Sequence, residues 1–91
     1  MKIELEESGR GGRYVVAGDG EAELTFHIRA DGAISADRTY VPESRRGQGI
    51  AAKLVERLVT DARARGRKVA PACSYVEAAF RRHPDWADLL A

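Results

Sequence analysis

Polar and apolar positions along the 91 residues change period several times, and each change marks an element. Lys2 to Glu6 alternates weakly and predicts a short strand. Arg10-Gly11-Gly12 reads as a flexible turn and Gly18-Asp19-Gly20 as another, with the β-rich run Tyr14-Val15-Val16 between them. Leu24, Phe26 and Ile28 then alternate with Glu23, Thr25, His27 and Arg29, the period of a half-buried strand. Asp31-Gly32 signals a hairpin. A two-residue loop would set Arg29 against Ile34. A three-residue loop, Ala30-Asp31-Gly32, sets Ile28 against Ile34 and Phe26 against Ala36, and gives Gly32 the left-handed position. The second register matches apolar with apolar and is the one expected. Its second strand covers about 33–41 and stops near Pro42, which has no amide to donate.

The period then lengthens. Ile50, Leu54, Leu58 and Ala62 form one stripe, with Ala51, Val55 and Val59 beside it and Lys53, Arg57, Thr60, Asp61 and Arg63 outside it. That is an amphipathic helix over 50–65, with Gly66 placed to end it. Residues 69–72 predict a short buried strand interrupted by Pro71. Ser74, with Glu77 three residues on, predicts a capping box opening a helix over about 75–82. His83 precedes Pro84 and is pushed out of helical geometry. Residues 85–90 add a further turn or two of helix. The order β-β-β-β-α-β-α predicts an α/β (α+β) fold with a mainly antiparallel sheet, as a single domain over 1–91.

Composition adds limits. The chain is 44 % hydrophobic and 32 % charged, with a net charge of +1, ordinary for a globular protein. No apolar run nears the ~20 residues of a membrane helix, and acids at the start argue against a signal peptide. The lone cysteine, Cys73, excludes an internal disulfide and any multi-thiolate metal site. A reduced, cytoplasmic setting and no metal are therefore expected. Charge is uneven: residues 43–68 carry eight basic and three acidic side chains, a local +5 against −4 for the rest. One positive side is expected, but without interleaved aromatics it argues against nucleic acid as the partner.

The most informative stretch is Arg45-Arg46-Gly47-Gln48-Gly49-Ile50-Ala51-Ala52, between a strand end and the strong helix. A helix start has free N–H groups and partial positive charge. Glycines let a phosphate approach them closely, and arginines add charged donors. A phosphate or pyrophosphate site is expected. No Gly-Lys pair exists for a P-loop. Residues 47–52 fit the Rossmann pattern G-x-G-x-x-A, but antiparallel hairpins precede them and no acid occurs between Arg67 and Val76 to bind a ribose.

The run Arg46-Gly47-Gln48-Gly49-Ile50-Ala51 resembles the pyrophosphate loop of the GNAT superfamily of N-acetyltransferases, Q/R-x-x-G-x-G/A. Arg46, Gly49 and Ala51 fill the defining positions. Thr39-Tyr40-Val41-Pro42, Pro71-Ala72-Cys73-Ser74-Tyr75-Val76 and Arg81-Arg82-His83-Pro84 extend the likeness to very small single-domain GNAT-like proteins. The resemblance covers roughly residues 14–90. It implies a GNAT-like fold with one splayed parallel strand pair and two to three helices. It also implies acetyl-CoA as cosubstrate and an amine, not identified, as acceptor. The backbone of Thr39, Tyr40 and Val41 would carry pantetheine. Arg45, Arg46, Gly47, Gln48, Gly49, Ile50 and Ala51 would hold the pyrophosphate.

The resemblance also bears on chemistry. Larger relatives carry a tyrosine that protonates the departing thiolate. Here that frame ends at Phe80, which is expected to line the cofactor site without supplying a proton. The cysteine matching Cys73 is the suggested catalytic residue of the small family, as acetyl acceptor or proton donor. A small buried hydrophobe is the other reading of Cys73. Tyr75 is the alternative acid, or helix packing. A histidine common in related proteins is Arg38 here, a fixed cation that accepts no proton. His27 reads as solvated on the polar side of its strand and His83 as structural. An N-acetyltransferase is the leading expectation, with a non-catalytic CoA-binding module as the alternative.

Overall fold

The computed structural model describes residues 1–91. Four strands run in sequence as an antiparallel meander: β1 (Glu4–Ser8), β2 (Gly11–Val16), β3 (Ala22–Ile28) and β4 (Ile34–Tyr40). A one-turn 3-10 segment, Glu43–Arg45, leads to helix α1 (Ile50–Arg65). The chain then returns as β5 (Val69–Pro71), parallel to β4, and continues into α2 (Ser74–Arg82) and a 3-10 segment, Pro84–Leu89. The sheet order is β1-β2-β3-β4-β5. The expected element order is therefore the observed one. No helix is long and apolar enough to cross a membrane.

The β3–β4 hairpin has the expected register. Ile28 pairs with Ile34 and Phe26 with Ala36, and Gly32 sits at φ 92°. The Arg29 amide donates to Ala33 O, and Asp31 Oδ1 accepts from the Ala33 amide, closing the loop. The register then shifts between Thr25 and Phe26, so that Thr25 pairs with Arg38. Asp37 is left as the extra residue of a β-bulge in β4.

The α1 stripe is buried as its spacing requires: Ile50, Leu54, Val55, Leu58, Val59 and Ala62 pack with Leu24, Phe26, Ile34 and Ala36 of the sheet. Leu54 and Leu58 have no exposed surface. The helix ends at Gly66, in left-handed geometry. Tyr14 Oη donates to Asp61 Oδ2 (2.8 Å), which Arg57 also reaches, and this latch ties β2 to α1. Burial and the Asp61 carboxylate push the Tyr14 phenol above its ordinary range.

Four expectations change. Gly11 and Gly12 lie inside β2, and the turn sits at Gly9-Arg10. The Phe26 ring lies over Gly12, where a Cβ would come within 3.0 Å of Cζ, so the glycine serves packing. The first strand begins at Glu4 rather than Lys2. Cys73, not Ser74, is the N-cap of α2, so Glu77 is one residue too far for a capping box; its amide instead donates to Cys73 O. Finally, two of the eight basic side chains of residues 43–68 are paired with acids from other elements, so the positive side is partly neutralised. Arg65 forms a two-point ion pair with Glu7 of β1, and Arg63 pairs with Asp88.

Candidate functional site

The parallel pairing of β4 with β5 is short: Ile34–Val69, Ser35–Ala70 and Ala36–Pro71. The Cys73 amide closes it by donating to Ala36 O (2.9 Å). Beyond that bond β4 continues through Tyr40 with no strand on that side, so the two strands part. A cavity of about 390 Å³ lies alongside, within the range of small-ligand sites. Thr39, Tyr40 and Val41 line it from β4, Arg45, Arg46, Gly47 and Gly49 from the loop, Ile50, Ala51 and Ala52 from α1, and Tyr75 from α2. Gln48 and Phe80 do not line it. Phe80 is buried in the core, edge-on to Trp86 with ring centroids 5.3 Å apart.

The loop shows why its glycines are needed. Gly49 is the N-cap of α1 at φ 76°, a conformation side chains rarely adopt, and Gly47 is at φ 84°. A Cβ on either would meet no protein atom within 4 Å, so the space beside them is open. No side chain caps α1, and the Lys53 amide is the first to find the helix, at Gly49 O. The preceding amides face outward without an intrahelical partner.

The two arginines divide. Arg46 uses Nε to reach Val41 O (3.0 Å) and keeps its terminal nitrogens without a protein partner beside the cavity that it lines. Arg45 also lines the cavity, but one of its terminal nitrogens is spent on Gly20 O (2.9 Å), with Ala17 O at 3.3 Å. Its visible work is to fasten the loop to the β2–β3 turn. Sequence spacing gave no signal for this, because the carbonyls lie far away in the chain.

Cys73 sits under the site rather than in its lining. Its Sγ lies 3.6 Å from Thr39 Oγ1, across the gap where the strands part. Burial pushes the thiol up, but the Val76 amide, the Thr39 hydroxyl and the Tyr75 amide together outweigh it and leave the thiol below its ordinary value. An N-cap thiol facing the first amides of a helix is where thiolate is favoured.

The histidines are both engaged. His83 stacks on Trp86 at 3.9 Å and bonds Ala79 O, a structural position. His27 is not simply solvated: its Nδ1 lies 2.7 Å from Asp37 Oδ2, on the bulge. Arg38 pairs with Glu23 and lies over the Tyr40 ring.

A second cleft, equal in volume, opens at the far end of α1 among Asp31, Gly32, Arg65, Arg67 and Lys68. Its guanidinium groups are already engaged, Arg65 by Glu7 and Arg67 by Gly32 O. No group of three or more His, Cys, Asp or Glu side chains converges as a metal would need.

A splayed parallel pair, an uncapped glycine-led helix at its mouth and a thiol at its base occur here in one mixed α/β chain. The family model described as GCN5-related N-acetyl-transferase matches residues 13–89, which includes all of these features. The chain belongs to the GCN5-related N-acetyltransferase family.

Proposed function

We propose that the protein is an acetyl-CoA-dependent N-acetyltransferase that acts as a single cytoplasmic domain on an amine acceptor. The observation that carries this reading is the open, glycine-led start of α1 beside the parted strands. The outward amides around Gly47–Ala51 and the free end of Arg46 suit a pyrophosphate. Gln48 belongs to the same loop and contributes backbone only. The β4 backbone at Thr39, Tyr40 and Val41 has no strand on the β5 side and there offers hydrogen bonds to a pantetheine amide. Acetyl-CoA supplies the activated acyl group. Cys73, its thiol held below its ordinary value, attacks as the thiolate and receives it as a thioester, and Tyr75, which lines the cavity, donates the proton that the leaving CoA sulfur needs. Phe80 supports the wall from the core and has no catalytic part.

The test begins with binding. CoA at 100 times its Kd should stabilise the fold by about 2.7 kcal/mol. Gly49→Val should abolish that stabilisation, because the branched side chain both opposes the left-handed backbone and fills the phosphate's place. A folded Gly49→Val variant that binds CoA normally would sink the assignment. Incubation with acetyl-CoA should then leave an acetyl adduct, seen by intact mass, that Cys73→Ala lacks while still binding CoA. Loss of transfer in Cys73→Ala without any wild-type adduct assigns the thiol to proton donation instead.

One observation favours the non-catalytic CoA-binding reading: the position at which larger relatives are expected to carry an acid is here the buried, hydroxyl-free Phe80. CoA binding with no adduct and no transfer to any amine would establish it.

A further inference from the structure

The turn between β2 and β3, residues 17–21, lies against the segment that leads into α1. A Cβ on Gly20 would stand 3.0 Å from Cγ of Pro42, so the turn and the proline ring are close neighbours. A Cβ on Gly18 would stand 3.0 Å from Nη1 of Arg45 and 3.2 Å from its Cζ. The guanidinium therefore rests on the Cα of a residue with no side chain. Its Nη1 donates to Gly20 O (2.9 Å), with Ala17 O and Val16 O at 3.3 and 3.4 Å. Three carbonyls, from the end of β2 and from its turn, thus form a cup around one nitrogen. Arg45 is half-buried there, whereas Arg46 is exposed.

All the groups in the cup are neutral. Arg57, Arg63 and Arg65 each face a carboxylate. Arg45 is held by carbonyls alone, so its charge is fixed in place without being cancelled. The grip passes on to the loop. The Arg45 amide donates to Pro42 O (2.9 Å) and the Arg46 amide to Glu43 O (3.2 Å), which closes the 3-10 turn. Directly beyond come Gly47 and Gly49, both at positive φ. Glycine loses more backbone freedom on ordering than any other residue. A loop with two of them meets a ligand at low ordering cost only if its entrance is already fixed.

We propose that Arg45 acts on the cofactor through the loop, as a positioning residue, and that the 17–21 turn is the part of the site that holds it. This rests on the CoA-binding reading above. None of residues 17–21 lines the cavity, so the turn reaches CoA only by way of Arg45 and Pro42. Gly18 and Gly20 serve it by the room they leave for those two side chains. The affinity for CoA is thereby set in part by a turn that CoA does not touch.

The test is a double-mutant cycle read by CoA affinity, together with amide exchange of the ligand-free protein followed by NMR. Gly18→Ala keeps every charge, but its methyl pushes the guanidinium out of the cup. Arg45→Met removes the guanidinium. Each should weaken CoA binding by about tenfold, and the two together by no more than Arg45→Met alone, because residues in contact are not additive. Without ligand, each should speed exchange of the amides at positions 45 and 46 by about tenfold, while the amides of Leu54 and Leu58 in α1 keep their rates. A direct phosphate ligand behaves otherwise: Gly18→Ala would free it and leave CoA affinity intact or higher. Undiminished affinity in Gly18→Ala, additive losses, or unchanged exchange at positions 45 and 46 in Arg45→Met each overturn the proposal. The last decides alone if Gly18→Ala does not fold. Exchange that rises equally along α1 marks a general loosening and overturns it too. A wild-type protein that does not bind CoA instead overturns the reading beneath it, and this proposal with it.

Discussion

A Cβ built on Gly12 would collide with the Glu6 carbonyl oxygen, a contact with backbone that no rotamer can relieve. Gly12→Ala should therefore destabilise the protein by about 1–3 kcal/mol in urea unfolding, as overpacking does. Gly11→Ala should cost less, because its nearest contact is 3.2 Å. Cys73 supports a second expectation. Its thiol is held below the ordinary value by helix amides and Thr39 against the pull of burial. The thiolate absorbance of the folded protein should thus appear at lower pH than that of the urea-unfolded chain. In that window the unfolded chain binds the extra proton, so stability rises with pH. Coincident folded and unfolded titrations would show that the amides do not favour the thiolate.

Among the elements, the legible ones were those whose signals are local. The 50–65 helix repeats its apolar positions within a turn or two, and the Asp31-Gly32 hairpin has its register fixed by which apolar side chains face each other. Both hold in the structure. Elements decided by distant neighbours were not legible. Gly11-Gly12 looks like a turn until the Phe26 ring from β3 is known to lie over it. The start of α2 slipped one residue because the Cys73 amide is tied to Ala36 of β4. In the candidate site, the glycine loop could be read from its residue types. The anchoring of Arg45 and the His27–Asp37 contact could not, since one depends on the β2–β3 turn and the other on a bulge. The Tyr14–Asp61 latch is of the same distant kind. Tyr14→Phe should lower stability by about 1 kcal/mol, one net hydrogen bond, because Asp61 keeps Arg57. A neutral result in chemical denaturation would mean that water replaces the phenol without loss.

Over the whole molecule, folding brings separated charges together. Glu7 is held below its ordinary value chiefly by the Arg65 hydrogen bond, Asp88 by Arg63, and Asp31 first by the Ala33 amide. Carboxylates lowered by folding give stability that is complete above the ordinary carboxylate range. It is lost as pH falls through their lowered values, since there the unfolded chain binds more protons. Thermal melts from about pH 6 to about pH 3 should show the midpoint falling, and about 1 M salt should flatten the trend because the pairs are exposed. A midpoint indifferent to acid would mean that the ion pairs persist equally in the unfolded chain.

The three rungs joining β4 to β5 also have a kinetic meaning. The meander is built from neighbours in sequence, whereas β5 can add only after α1 has crossed back, so the pairing closes the longest loop in the sheet for the fewest backbone bonds. On its outer side β5 is held by a single bridge, Val69 to Leu90, and by the Ala91 amide on Val69 O. Few backbone bonds hold this strand, and Val69, fully buried in the core, supplies the rest of its anchorage. Any opening of this pairing would release the Cys73 amide from Ala36 and its thiol from Thr39. The gap between the strands is thus bounded by the pairing with the fewest backbone bonds in the sheet, and the melting temperature of the meander alone does not report how long it stays assembled.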